Sequence, residues 1–536
     1  MELYGDKPFR TLFSCSWSSL VLAIVAVVAF FFWLKPKPLA GFPHNPIRGI
    51  LGDVPGIMRM LSDGNKTIYD YYAHLVSTHG PISQMFVGKR VILVLADQNE
   101  AEKLLTRSKS VDVPVYLTNI FRQLAPNSSI ALLSNDVWKR NRRIFKPTSQ
   151  QQYRMTTQVA SIVEALVKLW DTKRIRVAEN HFDADVDLRL ATMVSQACLA
   201  LGSPFHCLDA ALAYVSSVSP TETSGMNVTS PETAPMYQAI QTILQHLSRG
   251  PTMPFSSITF PIYLRLSPTW SKSKNLLRSF IADRIVAARE RSNSSTDDAE
   301  CALDILVQQE QHEVNSGSSK VMRESEWFDE IMVYFFNGQT PPSAVLSWWA
   351  KYIATDLDIQ RRLHAEVYGA FGESPVSLEA LGDSDKMPLL QAVIAETLRC
   401  STVTGLIVRQ LLVDEVILGR PAPKGTELLI TTGLFGLQQS AWGPDVHQWR
   451  PDRWLRPDGT FDRDAGPGGI PFGMGHRICA GQKIGMIILK VFIATLSRAF
   501  IFKPIPAEVD SWQADVAMTR RPKQCHISLG RWNEAS

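Results

Sequence analysis

A glycine-rich loop that contains a cysteine is the feature that most constrains this chain. Residues 471–481 read PFGMGHRICAG, and an apolar run with helical spacing follows them directly. A cysteine at a loop-to-helix junction gains thiolate character from the positive end of the helix and from the nearby Arg477. The glycines permit tight turns and the close approach of a flat cofactor, and Phe472 can shield the sulfur from water. The loop therefore predicts a cofactor site at the sulfur of Cys479, with a buried structural cysteine as the alternative.

Length and composition indicate a large globular protein. The chain has 536 residues, of which 45% are hydrophobic, so it can bury an extensive core. The formal net charge of +4 arises from 55 basic and 51 acidic residues, and this balance gives no support to nucleic-acid binding. The seven cysteines are scattered and form no CxxC pair, which argues against a zinc site or a disulfide framework and favours a reducing compartment.

An apolar run from Trp17 to Leu34 is the one clear targeting signal in the sequence. As a helix rising about 1.5 Å per residue, it would just cross a hydrocarbon core of roughly 30 Å. A cleaved signal peptide is the alternative, but the run is long for a signal core and ends in FFFWLK, without small residues for a peptidase. We therefore expect an N-terminal segment 1–16, a transmembrane anchor 17–34, a proline-rich hinge 35–46 and a globular catalytic domain 47–536.

The spacing of apolar residues predicts mainly helices with a smaller β portion. Alternation on both sides of Gly88 predicts a β-hairpin. Helical spacing dominates residues 138–368, and strand-like segments return at residues 405–409 and 428–431. The expected architecture is one large, mainly α domain with a small β subdomain, behind one N-terminal transmembrane helix.

The spacing F-x-x-G-x-R-x-C-x-G in the cysteine loop resembles the haem-binding signature of the cytochromes P450. It is matched by Phe472, Gly475, Arg477, Cys479 and Gly481. The resemblance implies that these residues hold haem b (iron protoporphyrin IX), with Cys479 as the axial ligand of the metal. A thiolate ligand donates electron density to the iron and favours O–O cleavage.

A second pattern, E-x-x-R, places Glu396 and Arg399 on one face of a helix. It resembles the K-helix pair of the same family. The segment Pro451–Trp454 resembles the downstream segment whose arginine, here Arg453, completes a buried Glu–Arg–Arg network. The resemblance implies structural support of the haem pocket. The alternative is an exposed ion pair, which would contribute little energy.

A W-x-x-x-R spacing puts Trp138 and Arg142 on adjacent turns of one helix face. In the resembled family these two side chains reach a haem propionate, and family position implies Arg409 and Arg477 as the other propionate partners. The donor fork of arginine suits a carboxylate of this kind. Four further basic side chains form either a solvated face or a docking surface for the acidic flavin domain of a reductase. They are Lys139, Arg140, Arg143 and Lys146.

The stretch 334–343 resembles the distal helix of the family but departs from its A-G-x-D/E-T pattern. Gapless comparison puts Asn337 and Gly338 at the Ala-Gly pair, Thr340 at the acid and a proline at the threonine. The acid-alcohol pair that normally helps deliver protons to dioxygen is therefore missing. A shifted register would let Thr340 serve as the alcohol with Gln339 in place of the acid, which still provides no carboxylate.

Two consecutive prolines add a physical consequence. Pro341 and Pro342 lack N–H groups and cannot donate to the carbonyls of Asn337 and Gly338, so we expect a kink that exposes these oxygens. A water held there, together with Asn337 and Thr340, is the hypothesised replacement for the missing proton relay. A core helix with a tolerated kink is the alternative.

The resemblance implies the triangular, mainly α-helical fold of the family with a small β subdomain. It also implies a single-pass anchor in the endoplasmic reticulum membrane, contact with membrane lipid and a cytosolic catalytic domain. Electrons would come from NADPH through an NADPH-cytochrome reductase. The leading expectation is a monooxygenase that uses dioxygen to hydroxylate, epoxidise or oxidise in several steps a small lipophilic substrate. The expected substrate is a secondary metabolite such as a terpenoid, a polyketide or an alkaloid.

Two alternatives remain open at this stage. The first keeps the haem-thiolate but changes the reaction to desaturation, cyclisation or rearrangement, which the unusual distal helix allows. The second is a non-catalytic haem-binding sensor or carrier. Family position suggests pocket residues at 113–121, 335–340 and 403–407, although their apolar character is equally what any core would show.

Overall fold

The computed structural model describes most of the chain. The described residues are 17–107, 109–144, 149–176, 181–202, 206–217, 234–253, 255–294, 299–315, 323–466 and 468–534. The N-terminal segment 1–16 predicted from the sequence lies outside these ranges.

Helices make up most of the described chain, as the spacing of apolar residues predicts. They are α1 (Trp17–Leu34), α2 (Val54–Leu61), α3 (Ile68–His79), α4 (Gln98–Thr106), α5 (Val115–Arg122), α6 (Asp136–Ile144), α7 (Ser149–Arg176), α8 (Asp185–Leu201), α9 (Cys207–Ser217), α10 (Ala234–Arg249), α11 (Ser256–Arg265), α12 (Pro268–Ser294), α13 (Ala302–Asn315), α14 (Glu324–Ile353), α15 (Leu357–Phe371), α16 (Leu378–Gly382), α17 (Pro388–Ser401), α18 (Thr432–Phe435), α19 (Gln439–Trp442) and α20 (Gln482–Ala499).

Short strands form the smaller part of the fold. They are β1 (Ile82–Val87), β2 (Arg90–Leu95), β3 (Val111–Asp112), β4 (Phe182–Asp183), β5 (Ile407–Leu411), β6 (Glu415–Ile417), β7 (Arg420–Ala422), β8 (Glu427–Ile430), β9 (Phe500–Lys503), β10 (Ala514–Val516), β11 (Arg520–Pro522) and β12 (His526–Arg531). The largest sheet has five strands in the order β1-β2-β8-β5-β3. The predicted mainly α architecture with a small β portion is therefore confirmed.

The predicted β-hairpin is confirmed as the antiparallel pair β1–β2. Ile82 pairs with Leu95 and Val87 with Arg90, and the intervening Gly88 takes a positive φ of 59° that suits glycine. The two later strand predictions correspond to β5 and β8, which pair antiparallel. Since β8 also runs parallel to β2, the N-terminal hairpin and the C-terminal strands share one sheet.

The core of the helical part is built around α14. This helix is 30 residues long, and most of its side chains are buried because α8, α17 and α20 pack along it. Pro341 and Pro342 lie inside the helix, which nevertheless continues to Ile353. The apolar residues of α20, which follows the cysteine loop, are buried in the same core, and they include Ile484, Ile488 and Phe492.

The predicted membrane anchor is helical but is not confirmed as a membrane span. α1 covers the predicted range Trp17–Leu34 and exposes large apolar side chains such as Leu22, Phe32 and Trp33. Among the residues that the structure describes, no helix combines the length and the apolar character needed to cross a bilayer.

Candidate active site

A cavity of about 640 Å³ lies between the cysteine loop and α14. Cys479, Phe472 and Gly481 form part of one wall, and Asn337 and Thr340 form part of the opposite wall. Apolar side chains in or just before α5, and between the end of α17 and the start of β5, also line the cavity, and they include members of two of the pocket segments suggested from the sequence. They are Val113, Leu117, Phe121, Val403, Leu406 and Ile407. The cavity therefore brings the predicted proximal and distal residues to one site.

The cysteine loop is held by its own backbone and by α4. The N–H of Cys479 donates to the carbonyl of Phe472 at 2.8 Å, which closes the loop ahead of α20. Gly475 has a φ of 72°, and a Cβ at this position would lie 1.9 Å from the carbonyl oxygen of Leu105 in α4. Gly475 is absent from the cavity wall. Glycine at this position lets the loop pack closely on α4. Its contact with a cofactor stays a prediction.

The sulfur of Cys479 faces the cavity in an environment that does not stabilise a bare thiolate. Burial raises the pKa of the Cys479 thiol, and the N–H of Gly481 and the charge of Arg142 oppose this only in part. Desolvation thus opposes the thiolate character that the sequence predicts, and the role of Cys479 as a metal ligand stays a prediction. A coordinated metal cation would keep such a thiol deprotonated.

The guanidinium of Arg477 donates hydrogen bonds to other residues of the chain. Its Nε donates to Asp112 Oδ1 at 3.0 Å and to Ser134 Oγ at 2.8 Å, and its Nη2 donates to the carbonyl of Leu132 at 2.7 Å. Burial raises the pKa of Asp112, but the N–H of Ser134 and the charge of Arg477 outweigh it, and the net pKa is lowered. Sequence reasoning missed Asp112, which lies far from the cysteine loop in the chain.

The other two predicted propionate arginines have no acidic partner among the described residues. The side chain of Arg409 donates only from Nη1, to the carbonyl of Val408 at 2.9 Å, and its buried Nε has no partner. Burial, with a smaller effect from Arg477, lowers the pKa of Arg409 to about 10. Arg142 donates from Nη2 to the carbonyl of Ile478, in the cysteine loop. Both guanidinium groups line the cavity.

Trp138 lies beside Arg142, as the W-x-x-x-R spacing predicts, with the guanidinium carbon of Arg142 5.7 Å from the centroid of the Trp138 ring. Its contact with a propionate stays a prediction. Its ring lies 4.4 Å from the guanidinium carbon of Arg477 and edge-on to His476, with the ring centroids 5.8 Å apart. Cation–π contact of this kind fixes the orientation of a guanidinium. Trp138 is therefore placed to support Arg477, and it also forms part of the cavity wall.

The distal wall contains the three residues that the sequence singled out. Asn337, Gly338 and Thr340 all line the cavity, whereas Gln339 is buried on another side of α14. The shifted register, which would use Gln339 in place of the acid, is therefore not supported by its position. Gln196 of α8, which sequence reasoning missed, also reaches the cavity and donates from Nε2 to the carbonyl of Tyr334 at 2.9 Å.

Among the described residues of the cavity wall, Glu330 is the one with a carboxyl side chain. Sequence reasoning missed it. Its Oε1 accepts from the N–H of Ser129 at 2.5 Å and from Asn141 Nδ2 at 3.1 Å, and its Oε2 accepts from Ser129 Oγ at 3.1 Å. Burial raises the pKa of Glu330 to about 7, although these donors and Arg142 act in the opposite direction. The helical spacing between positions 330, 334, 337 and 341 was the signal available in the sequence.

Glu396, Arg399 and Arg453 meet in one buried network. Arg399 Nε and Nη2 donate to the two carboxylate oxygens of Glu396, each at 2.7 Å, and Arg453 Nε lies 3.3 Å from Glu396 Oε1. Trp454 Nε1 donates to Glu396 Oε2 at 2.9 Å, and Asp445 accepts from Arg453 at 3.0 Å, which the sequence reasoning did not foresee. The network ties α17 to the segment before the cysteine loop.

The basic residues proposed for reductase docking are partly engaged by neighbouring acids. Arg140 Nη2 lies 2.8 Å from Glu326, and Lys139 lies 3.0 Å from the exposed Asp136. The side chain of Arg143 and the whole of Lys146 lie outside the described part of the chain. The described residues therefore leave the docking surface a prediction.

Comparison with known proteins agrees with this site. The cytochrome P450 family model matches residues 49–527. The chain is 25% identical to the cytochrome P450 monooxygenase GME11363 of Pestalotiopsis microspora, over 96% of this chain and 99% of that protein. It is 23% identical to the cytochrome P450 monooxygenase TRI13 of Fusarium sporotrichioides, over 96% and 98% of the two chains. It is 24% identical to the cytochrome P450 monooxygenase xilC of Penicillium crustosum, over 94% of each chain.

Haem dependence follows from the family, since its members carry haem and receive electrons from a redox partner. The match extends over the helical core, the β subdomain and the cysteine loop described above. This chain therefore belongs to the cytochrome P450 family and is an oxidoreductase that incorporates oxygen from dioxygen.

Proposed function

We propose that Cys479 binds the iron of haem b and that the cavity oxidises a small lipophilic substrate. The observation that carries the proposal is a cysteine sulfur that faces α14 across a largely apolar cavity. No group of three or more His, Cys, Asp or Glu side chains in the described chain could hold a metal. A metal at Cys479 must therefore bring its remaining ligands with it, as the iron of a porphyrin does.

The charges in the cavity wall fit a dianionic porphyrin. Asp112 neutralises Arg477, whereas the buried Arg409 has an Nε without a partner. Arg142 is half-buried and forms no ion pair with a carboxylate among the described residues, although its charge acts on Glu330. A buried, unpaired guanidinium is costly unless a ligand supplies the missing anion. The two propionates of haem b supply two such charges. We therefore assign Arg142 and Arg409 as the propionate partners and Arg477 as a residue that shapes the loop.

Residues on the two sides of the cavity have different roles in this proposal. When bound, the haem supplies the redox chemistry that activates dioxygen and transfers one oxygen atom to a C–H or C=C bond. Cys479 would hold the iron through its sulfur, and Phe472, whose carbonyl accepts from the N–H of Cys479, lies beside it. Leu117, Val403 and Ile407 exclude bulk water and accommodate an apolar substrate.

Proton delivery falls to Asn337 and Thr340 in this proposal. Neither side chain hydrogen-bonds another described residue, and both line the cavity opposite the cysteine loop. A water bound to the carbonyls that Pro341 and Pro342 leave without helical donors would connect the two side chains. Thr340→Ala is expected to lower the amount of product formed per NADPH consumed. Unchanged coupling would count against a role for Thr340.

The decisive experiment for the haem assignment is the carbon monoxide difference spectrum of the reduced protein. Wild type should show the red-displaced Soret band of a cysteinate-bound haem, and Cys479→Ser should lose it. Cys198→Ser, which removes a buried thiol in α8, is the matched control and should keep the band. A wild-type spectrum without the band would overturn the proposal.

A second reaction class is favoured by one observation, namely the absence of the acid-alcohol pair on α14. Desaturation, cyclisation or rearrangement would make different demands on proton delivery at that helix. Product analysis with isotopically labelled dioxygen separates the two, because a monooxygenated product carries the label and a rearranged product does not. A non-catalytic haem sensor or carrier would show no substrate-stimulated consumption of NADPH with a reductase present.

The substrate class is proposed from the relatives. One similar protein from Dothistroma septosporum is described as a monooxygenase of the Hps1-dma1 cluster, at 28% identity over 42% of this chain. We propose that this chain tailors a fungal secondary metabolite such as a terpenoid, a polyketide or an alkaloid. Incubation with lipophilic extracts, NADPH and a reductase, followed by mass spectrometry, would identify the metabolite that gains or loses mass.

Membrane attachment and electron supply complete the proposal. We propose that α1 attaches the protein to the endoplasmic reticulum membrane, with the catalytic domain in the cytosol beside an NADPH-cytochrome reductase. The support is the apolar surface that α1 exposes. Full-length protein should resist alkaline extraction from microsomes, whereas a variant without residues 1–34 should be released. Release of both forms would contradict the anchor.

A further inference from the structure

Asn337 places an unpaired carboxamide in the wall of the cavity. The residue is partly exposed, although most of α14 is buried, and its side chain hydrogen-bonds no other described residue. Neither its Oδ1 nor its Nδ2 belongs to the buried polar atoms that lack a partner, so both atoms are accessible from the cavity. The carboxamide can therefore donate hydrogen bonds to a bound molecule and accept them from it.

The surroundings of this carboxamide are mostly apolar. Val333 and Pro341 lie one turn before and one turn after Asn337 on the same face of α14, and both line the cavity. Leu117 and Val403 contribute further apolar surface to the wall. A substrate that is a pure hydrocarbon would displace water from the carboxamide and offer no hydrogen bond in return, which is unfavourable.

Other polar groups of the wall already have a partner or a proposed role. The carboxyl oxygens of Glu330 accept hydrogen bonds from neighbouring residues of the chain. Arg142 and Arg409 are assigned to the haem propionates, and the hydroxyl of Thr340 is assigned to proton delivery. Asn337 lies on the wall opposite the cysteine loop that would hold the haem, so its carboxamide is available to the substrate.

We propose that Asn337 is a specificity-determining residue that selects substrates bearing a hydroxyl or carbonyl oxygen. An N–H of the carboxamide donates to a carbonyl oxygen of the substrate, and Oδ1 accepts from a hydroxyl. The carboxamide has two N–H donors and one acceptor, so it can also bind the water of the proposed function. The inference rests on the proposed function, because it names the chemistry of the substrate that the haem site would oxidise.

This selectivity gives the enzyme a place in a reaction sequence. The substrate already carries an oxygen function, so a reaction that installs or retains a hydroxyl or carbonyl group must precede this enzyme. The first oxidation of a hydrocarbon skeleton belongs to another catalyst, because a skeleton without oxygen leaves the carboxamide of Asn337 unpaired.

Two pairs of probes test the proposal in the full-length holoenzyme, namely bornane with borneol and p-menthane with menthol. The members of each pair share a skeleton and differ by one hydroxyl. Isothermal titration calorimetry measures the dissociation constant of each probe for wild type, Asn337→Leu and Gln339→Leu. Gln339→Leu is the matched control, because it removes a buried carboxamide from the same helix at a residue that does not line the cavity.

We expect the ratio of the dissociation constants, hydrocarbon to alcohol, to fall about ten-fold from wild type to Asn337→Leu, because a hydrogen bond in a desolvated site is lost. Comparing this ratio between variants removes the effect of the different hydrophobicities of the probes. Gln339→Leu should keep the wild-type ratio. An unchanged ratio in Asn337→Leu would overturn the inference, as would an equal fall in both variants or a wild type that binds neither alcohol.

A crystal structure of the wild-type holoenzyme with menthol gives a measurement that does not depend on the folding of a variant. The hydroxyl oxygen of menthol is expected within hydrogen-bond distance of the Asn337 carboxamide, and a hydroxyl that contacts only other groups would contradict the inference. Absence of the carbon monoxide band would overturn the haem assignment instead. Calorimetry reports the affinities of the probes in either case, so the two failures are distinguishable.

Discussion

Replacing Glu330 with glutamine should change the pH dependence of stability in a predictable way. Glu330 is 4% exposed, and burial raises its pKa from 4.5 to about 7. Each pKa unit is worth about 1.4 kcal/mol, so ionising this carboxyl in the folded protein costs about 3 kcal/mol relative to the unfolded chain. Glutamine keeps an acceptor for the N–H of Ser129 and for Asn141, and it carries no charge.

The sign of the change in stability with pH follows from the raised pKa of Glu330. A carboxyl with a raised pKa in the folded state contributes stability below about pH 4.5, and this contribution is lost as the pH rises through about 7. Wild type should therefore lose stability relative to Glu330→Gln between pH 5 and pH 8, by about 2–3 kcal/mol. Urea unfolding of both proteins at several pH values measures the difference.

Glu326, one turn earlier on α14, provides the matched control. Burial raises the pKa of Glu326, but the backbone and side chain of Arg323 together with Arg140 outweigh it, and the net pKa is lowered. The contribution of Glu326 is therefore present at neutral pH and lost as the pH falls. Glu326→Gln should be least stable, relative to wild type, at neutral pH. A constant difference between wild type and Glu330→Gln at all pH values would refute the reasoning.

Three further predictions concern buried groups. Glu396→Ala leaves Arg399 without its carboxylate and should lower the free energy of unfolding by about 3–5 kcal/mol in urea. Gly338→Ala should lower it by about 1–3 kcal/mol because the new methyl collides with Gln196, and Gln196→Ala in the same chain should restore part of the loss; additive effects would contradict that contact. Arg409→Met should stabilise the haem-free protein but speed the transfer of haem to apomyoglobin, since it removes an unpaired buried charge that a propionate would satisfy.

The parts of the site that depend on local spacing were predictable from the sequence. The cysteine loop, the hairpin around Gly88 and the pair Glu396–Arg399 each involve residues close together in the chain, so periodicity and motif spacing are sufficient to locate them. The fold class followed from the same helical and strand periodicities. Membrane attachment of residues 17–34 stays a prediction.

The parts that depend on the tertiary fold were not predictable. Asp112 reaches Arg477, Gln196 reaches Gly338, and Ser129 reaches Glu330 only because distant helices and loops pack together. The desolvation that raises the pKa of Cys479 is another consequence of the tertiary fold. A helix end and a nearby cation are visible in the sequence, whereas the extent of burial, which outweighs them, is a property of the assembled protein.

The contact between Gly475 and Leu105 has a consequence for the order of assembly. The sulfur-bearing loop can adopt its final shape only when a helix from the first quarter of the chain has docked against it. Contacts between such distant parts of a chain form slowly, because a very long loop must close first. We therefore expect iron capture to be a late event during maturation, because it requires the cysteine loop to be docked on α4.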